Sequence, residues 1–128
     1  MCQKTRNAKF SNLKRPNKIW AVSSIHGDLD RLMQLHDAIF ERFAPGDRLI
    51  YLGNYTGYGM QSRETVDELL VFRRLLLAQP GMKASDIVYL RGAQEELWNK
   101  LTQLHFAPKP VDALLWMMGS GMGNTMQS

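Results

Sequence analysis

The sequence predicts a single α/β domain with a largely parallel sheet. Short runs that are almost continuously apolar alternate along the chain with longer segments whose apolar residues recur at helical spacing. Clusters of Gly and Pro separate these segments, and their order is β-α-β-α-β-α. Apolar strands alternating with amphipathic helices are typical of parallel sheets covered by helices. The 128 residues, 45% of them hydrophobic, are enough for one core and too few for two ordinary domains.

In the first half of the chain, the spacing of the apolar residues changes clearly from that of a strand to that of a helix. The run KIWAVSSIHG predicts a buried strand that ends at Gly27. From Asp28 onward the apolar residues follow helical spacing, and they are Leu29, Leu32, Leu35, Ile39 and Phe43. The turn sequence APGD ends this predicted helix, and DRLIYLG predicts the second strand.

The second half repeats the pattern. Ser62 is the predicted N-cap of a second helix, whose apolar stripe is Val66, Leu69, Leu70, Phe72 and Leu76. The run DIVYLRG predicts a third strand, and a third helix follows from about Gln94 to Leu104. A short helix from Val111 to Met118 precedes a glycine-rich end. We expect that end to be exposed and to favour association through Trp116, Met117, Met118, Met122 and Met126.

Basic charge is concentrated at the N-terminus. Residues 1–18 contain six basic side chains and no acid, whereas the remaining 110 residues contain 10 basic and 12 acidic ones. We therefore predict a flexible tail over residues 1–17 and one domain over residues 18–128, the latter a truncated one. The tail could attract polyanions weakly. A single cysteine, Cys2, and the lack of a long apolar run indicate a cytoplasmic protein with no membrane partner.

Three predicted loops follow the carboxyl ends of the strands. They cover Ser23–Asp28, Gly53–Met60 and Gly92–Glu96. In open α/β sheets such loops meet in a crevice where ligands usually bind. The sequence thus predicts one functional edge of the sheet.

The sequences of these loops, SSIHGDLDRL, YLGNYTGYG and YLRGAQEEL, resemble those of the calcineurin-like metallophosphoesterases. They are most similar to the branch of bacterial serine/threonine protein phosphatases and diadenosine tetraphosphatases, whose signatures are D-x-H-G, G-D-x-x-D-R-G and G-N-H-E. The resemblance covers about residues 18–128. It implies the N-terminal half of an αββα sandwich, and a family chemistry that uses two divalent metals, Mn, Fe or Zn.

Most of the residues that the resemblance assigns to the site differ in type from those the family uses. The family's positions for metal binding, phosphate contact and proton donation fall on Ser24, His26, Asn54, Gly57, Tyr58, Ala93 and Gln94. Of the five that ligate metal or donate a proton, only His26 keeps the family's residue type, and Glu95 of the third signature remains. Neutral oxygens and one imidazole would compensate two dications poorly. We therefore expect no metal cofactor and no active catalytic residue, with His26 as a weak candidate ligand.

Structural roles are the simpler interpretation of the other polar residues near these loops. We expect His26 to hydrogen-bond loop backbone, and Asp28 and Asp30 to cap the first helix. Acids are common in the first turn of a helix, which accounts for Glu95 and Glu96. His36 and His105 lack acids or cysteines at metal-ligand spacing, and Tyr55 and Tyr58 are expected to pack the second loop, although a partner surface is the alternative.

Three functional hypotheses follow. The first is a pseudoenzyme that acts by binding, either to a protein partner or to itself, through an apolar face left uncovered. The second is a residual metal-dependent phosphoesterase for phosphoproteins or nucleotides, with an altered or partner-completed site that uses His26 and Asp28. The third is a module that docks polyanions through residues 1–18.

Overall fold

The protein contains a three-stranded parallel sheet covered by helices. The computed structural model describes residues 10–128, so residues 1–9, half of the predicted basic tail together with Cys2, lie outside the described part. The strands are Ile19–Val22 (β1), Arg48–Tyr51 (β2) and Ile87–Tyr89 (β3). They lie side by side in the order β1-β2-β3, and both pairs are parallel. The predicted mixed α/β class with a parallel sheet is confirmed.

Five α-helices connect and follow these strands within residues 10–128. They are Leu29–Arg42 (α1), Ser62–Leu77 (α2), Ala93–Leu101 (α3), Pro110–Met117 (α4) and Gly123–Gln127 (α5). α1 and α2 pack against each other, and their apolar residues form the main core with one face of the sheet. A second, smaller cluster joins Leu97 of α3 to Met117 and Met122. None of the helices in this part of the chain is long and apolar enough to cross a membrane.

Two predicted features of α2 are wrong. Gln61, not Ser62, occupies the N-cap position, and no side chain caps the helix there. The hydroxyl of Ser62 is instead buried and lies 3.4 Å from that of Thr125. Val66 and Leu70 of the predicted apolar stripe are exposed, because the buried side of α2 is the narrower stripe of Leu69, Phe72 and Leu76.

The glycine-rich end is folded, which corrects the expectation of an exposed segment. A kinked helical segment, Met118–Met122, connects α4 to α5, and Gly121 makes the kink with a φ of 101°. Met117 and Met122 are buried in the smaller core cluster. Only Trp116, Met118 and Met126 of the five predicted residues are exposed. The third helix also ends three residues earlier than predicted, at Leu101, before a 3-10 turn at Leu104–Phe106.

A buried histidine links α1, α2 and β2. The Nδ1 atom of His36 lies 2.7 Å from a carboxylate oxygen of Glu68, and its Nε2 atom lies 2.9 Å from the hydroxyl of Tyr51. The ring stacks on Phe72, with 3.8 Å between ring centroids. Burial lowers the pKa of His36 from its ordinary value of 6.5, while the Glu68 carboxylate opposes that shift. Sequence reasoning had found nothing unusual about His36.

This arrangement predicts that acid destabilises the fold. A histidine whose pKa is lower in the folded than in the unfolded protein binds more protons when unfolded, so stability falls as the pH drops below 6.5. Asp37, Glu68 and Tyr51 surround the ring and share this electrostatic environment. We expect the free energy of unfolding, measured by urea titration between pH 8 and about 5, to decrease on acidification.

The variant His36→Gln should reduce that pH slope, whereas His105→Gln is the matched control because His105 is exposed. Equal slopes in wild type and His36→Gln would contradict the assignment.

Candidate functional site

The three predicted loops meet at the carboxyl edge of the sheet, as the parallel topology requires. The backbone N–H groups of Ile25 and His26 both donate to the carbonyl oxygen of Asn54, at 3.0 and 2.8 Å. The carbonyl oxygen of His26 in turn accepts from Gly59 N–H at 2.6 Å. The first and second loops are therefore joined by their main chains.

Asn54 is the residue through which all three loops are connected. Its side-chain Nδ2 donates to Ser24 Oγ at 3.1 Å, and its Oδ1 accepts from the Gln94 N–H at 2.9 Å. Its own N–H donates to Glu95. Asn54 has a φ of 55°, in the left-handed region that asparagine tolerates better than most residues. Its backbone and side-chain polar groups are thus all engaged inside the protein.

The Glu95 carboxylate holds the second and third loops together. It accepts three backbone hydrogen bonds, from Asn54 at 2.7 Å, Tyr55 at 2.9 Å and Gly92 at 2.7 Å. The sequence predicted only a helix-terminal acid here. The spacing of Gly92 and Glu95 is that of a capping box at the start of α3, which could have predicted the bond to Gly92. The bonds to Asn54 and Tyr55 span about 40 residues and have no local sequence signal.

Gln94 connects the third loop to the C-terminal segment. It is buried, and its Nε2 donates to the carbonyl oxygen of Ser120 at 2.6 Å. Gly57 and Gly121 pack closely at the same point: a Cβ atom on Gly57 would lie 2.9 Å from the Gln94 side chain, and one on Gly121 would lie 3.2 Å from Gly57. Asn124 adds a hydrogen bond to the carbonyl oxygen of Tyr58. The kinked segment and α5 therefore cover part of the second loop.

His26 holds the turn through its backbone and not through its imidazole, which corrects the predicted contact. Its φ is 52°, and its main chain makes the bonds to Asn54 and Gly59. The Nδ1 atom of its side chain is buried without a hydrogen-bond partner among residues 10–128. The ring instead contacts the exposed ring of Tyr58 edge-on, with centroids 5.3 Å apart.

Tyr55 and the remaining acids have structural environments. The Tyr55 hydroxyl donates to the Leu90 carbonyl at 2.6 Å, and its ring packs against Tyr51 and Tyr89, so the predicted packing role is confirmed. Burial raises the pKa of Tyr55, and the neighbouring Glu95 carboxylate raises it further. Asp28 accepts from Arg31 N–H and caps α1, as predicted.

The donor set at this edge does not fit a two-metal centre. Ser24, Asn54 and Gln94 are neutral, and Ala93 is an exposed alanine at the first position of α3. No group of three or more His, Cys, Asp or Glu side chains suitable for a metal ion occurs within residues 10–128. Of the acids in the three loops, Glu95 and Asp28 already accept backbone N–H groups, and Glu96 is exposed and pairs with Arg91.

An open cleft of about 620 Å³ lies beside the first loop. Its polar border includes Ser23, Ser24 and His26, and its apolar wall includes Ile25 and Leu32. The volume is in the range of small-molecule pockets. Tyr58 and Arg31 complete the rim, so the cleft lies between the first loop, the second loop and the start of α1.

Comparisons with protein-family models, with curated proteins and with solved structures find no match to this chain. The likeness to the metallophosphoesterases therefore depends on the three loop sequences and on the order of the elements that carry them.

The contacts of Glu95 predict that this residue is essential to the fold. Replacing it by alanine would leave three backbone N–H groups without their charged acceptor and should cost about 3 kcal/mol of unfolding free energy. Glu96→Ala is the matched control, because Glu96 has only an exposed ion pair with Arg91 at 3.7 Å. Its change should stay within about 0.5 kcal/mol. Chemical denaturation measures both, and equal losses would contradict the role given to Glu95.

Proposed function

We propose that this protein is a degenerate member of the calcineurin-like metallophosphoesterases, in the branch of serine/threonine protein phosphatases and diadenosine tetraphosphatases, which acts by binding and not by hydrolysis. One observation carries this proposal: the residue at the family's metal-bridging position is Asn54, and its polar groups are all hydrogen-bonded to the protein itself. Its side-chain oxygen already accepts the N–H of Gln94, and unlike the family's bridging carboxylate it is neutral and offers one oxygen instead of two.

The charge at the loop edge supports the same conclusion. Two dications need several anionic ligands to offset their charge and their lost hydration. The carboxylate of Glu95 is close to Asn54, but it is the acceptor for three backbone N–H groups. Withdrawing it would separate the second loop from the third. The edge is therefore suited to holding the fold together rather than to phosphoryl transfer.

A binding role is supported by apolar surface elsewhere. Large apolar side chains are exposed on the sheet and on α4, among them Ile19, Leu52, Leu115 and Trp116. Extended apolar surface in a soluble domain often marks an interaction site. We propose a protein partner, or a second copy of this chain, as the ligand.

A residual enzyme is the alternative, and one observation favours it. The buried Nδ1 atom of His26 has no hydrogen-bond partner among the described residues, and His26 borders the open cleft. Burying an unpaired nitrogen is unfavourable, so an unassigned group could bind there. A single metal with His26 as a ligand would be that group in this alternative.

Measurements of bound metal and of phosphate-ester hydrolysis distinguish the non-catalytic protein from the residual enzyme. Purified protein is loaded with Mn²⁺ and desalted; its metal is measured by mass spectrometry, and hydrolysis of an aryl phosphate is assayed on the same sample. We expect less than about a tenth of an equivalent of metal and no turnover.

The double variant Ser24→Asp/Asn54→Asp is the informative comparison, because it returns two anionic ligands beside His26, where the two side chains are now 3.1 Å apart. We expect the variant to retain clearly more Mn²⁺ than the wild type. Near one equivalent in the wild type would overturn the non-catalytic proposal. Equal and negligible retention in a folded double variant would count against the family assignment itself.

A further inference from the structure

One face of the parallel sheet has no helix layer among residues 10–128. Side chains alternate along each strand, and the register of the three strands places one set together on the side away from α1 and α2. Val22, Leu49 and Tyr51 belong to the buried side. The opposite set, here named the open sheet face, consists of the apolar residues Ile19, Ala21, Ile50, Leu52, Val88 and Leu90. Arg48, the register partner of Ile19, lies at the amino end of this face and is paired there with Asp86 at 3.2 Å.

Apart from the ion pair of Arg48 and Asp86 at its amino end, the open sheet face is apolar, and much of it is accessible. Ile19 is 54% exposed and Leu52 is 47% exposed, and even Ile50 on the central strand is not buried. Parallel sheets are almost always covered on both faces, usually by helices. The missing layer is therefore a surface that the described part of the chain leaves available.

A second apolar surface lies on α4. Ala113, Leu114 and Met117 face inward, while the outward side, here named the α4 surface, consists of Val111, Leu115 and Trp116 together with Met118, the first residue of the kinked segment. Val111 is 69% exposed and Leu115 is 66% exposed. A helix that is apolar on all sides normally has a partner on each side.

The two surfaces match in size. The eight residues of α4 span about 12 Å, and a four-residue strand spans about 13 Å. The outer strands lie about 10 Å apart across the sheet, close to the diameter of one helix. A single helix of this length can therefore cover the open sheet face.

The charges around the open sheet face argue against its packing on the same face of another copy. Lys18 precedes β1 at the amino end of the face. Arg48 donates to the carbonyl of Leu13, so Lys14 and Arg15 lie at this end of the sheet too. In a two-fold contact between identical faces, the basic residues at the border of one copy would lie near those of the other copy, and this repulsion is unfavourable. The α4 surface avoids this, since Asp112 is the one charged residue within the helix.

We propose that two copies of this chain form a reciprocal dimer, in which α4 of each copy covers the open sheet face of the other. Each surface offers on the order of 400 Å². A single contact would bury less than stable interfaces need, whereas reciprocal contacts bury roughly 1,600 Å² in total, a standard interface. This inference deepens the proposed binding role by naming the partner.

Sedimentation equilibrium of the 128-residue chain up to about 200 µM tests the proposal. We expect a dimer for the wild type. Leu52→Lys and Leu115→Glu should each raise the dimer dissociation constant by about 30-fold or more, because each places an unpaired charge in both contacts. Val71→Glu is the matched control, since Val71 is an exposed apolar residue of α2 outside both surfaces, and it should leave the constant unchanged.

The double variant Leu52→Lys/Leu115→Glu identifies which surfaces meet. If α4 packs on the sheet of the other copy, lysine faces glutamate in both contacts, and the double variant recovers part of the lost affinity. If sheet packs on sheet, or α4 on α4, like charges face each other and nothing is recovered. Circular dichroism confirms that each variant is folded.

A monomeric wild type, or a double variant no better than the singles, overturns the proposal. Neither outcome affects the metal and turnover measurements, which test the loss of catalysis separately.

Discussion

The carboxylate of Glu95 is the interaction on which the functional edge of this protein depends. It accepts three backbone N–H groups from two loops, and those loops begin at the ends of neighbouring strands. The hydrogen bond from the Asn54 N–H to Glu95 helps to hold the backbone of Asn54 in its left-handed conformation. The carbonyl and side chain of Asn54 then bind the first loop and the start of α3. One charged acceptor thus determines the relative position of all three loops.

The same contacts satisfy the backbone groups of the loop edge with atoms of the protein. Loops with several backbone N–H groups near one point require acceptors, and unpaired groups in a partly buried place are costly. Here protein oxygens meet that requirement. The two left-handed non-glycine residues of this edge, His26 and Asn54, carry a conformational cost that these hydrogen bonds offset. The strained backbone conformations of these two residues are maintained by the hydrogen bonds around them.

Features that depend on the spacing of apolar residues or on the order of strands and helices could be predicted from the sequence. Contacts between side chains far apart in the sequence could not. The strands, α1 and the meeting of the three loops follow from apolar patterns and parallel connections. The pairing of His36 with Glu68, 32 residues away, has no such signal. The buried Met117 and Met122 could not be told from exposed methionines, because the fate of a glycine-rich segment depends on whether a neighbour such as Leu97 is there to pack against it.

Polar and apolar surfaces are separated in this molecule, and the separation bears on function. At the carboxyl edge of the sheet most polar groups of the loops are hydrogen-bonded within the protein, and His26 Nδ1 and Gln94 Oε1 are buried exceptions there among residues 10–128. A ligand that contacts Asn54 or Glu95 would compete with existing hydrogen bonds. On the α4 surface and on the open sheet face beyond the pair of Arg48 and Asp86, binding displaces mainly water, because the exposed side chains there are aliphatic or aromatic. Binding there gains free energy from burial without disturbing Asn54 or Glu95. The proposed association would therefore use the face of the sheet and α4, and not the polar groups of the loops that carry the resemblance to an enzyme.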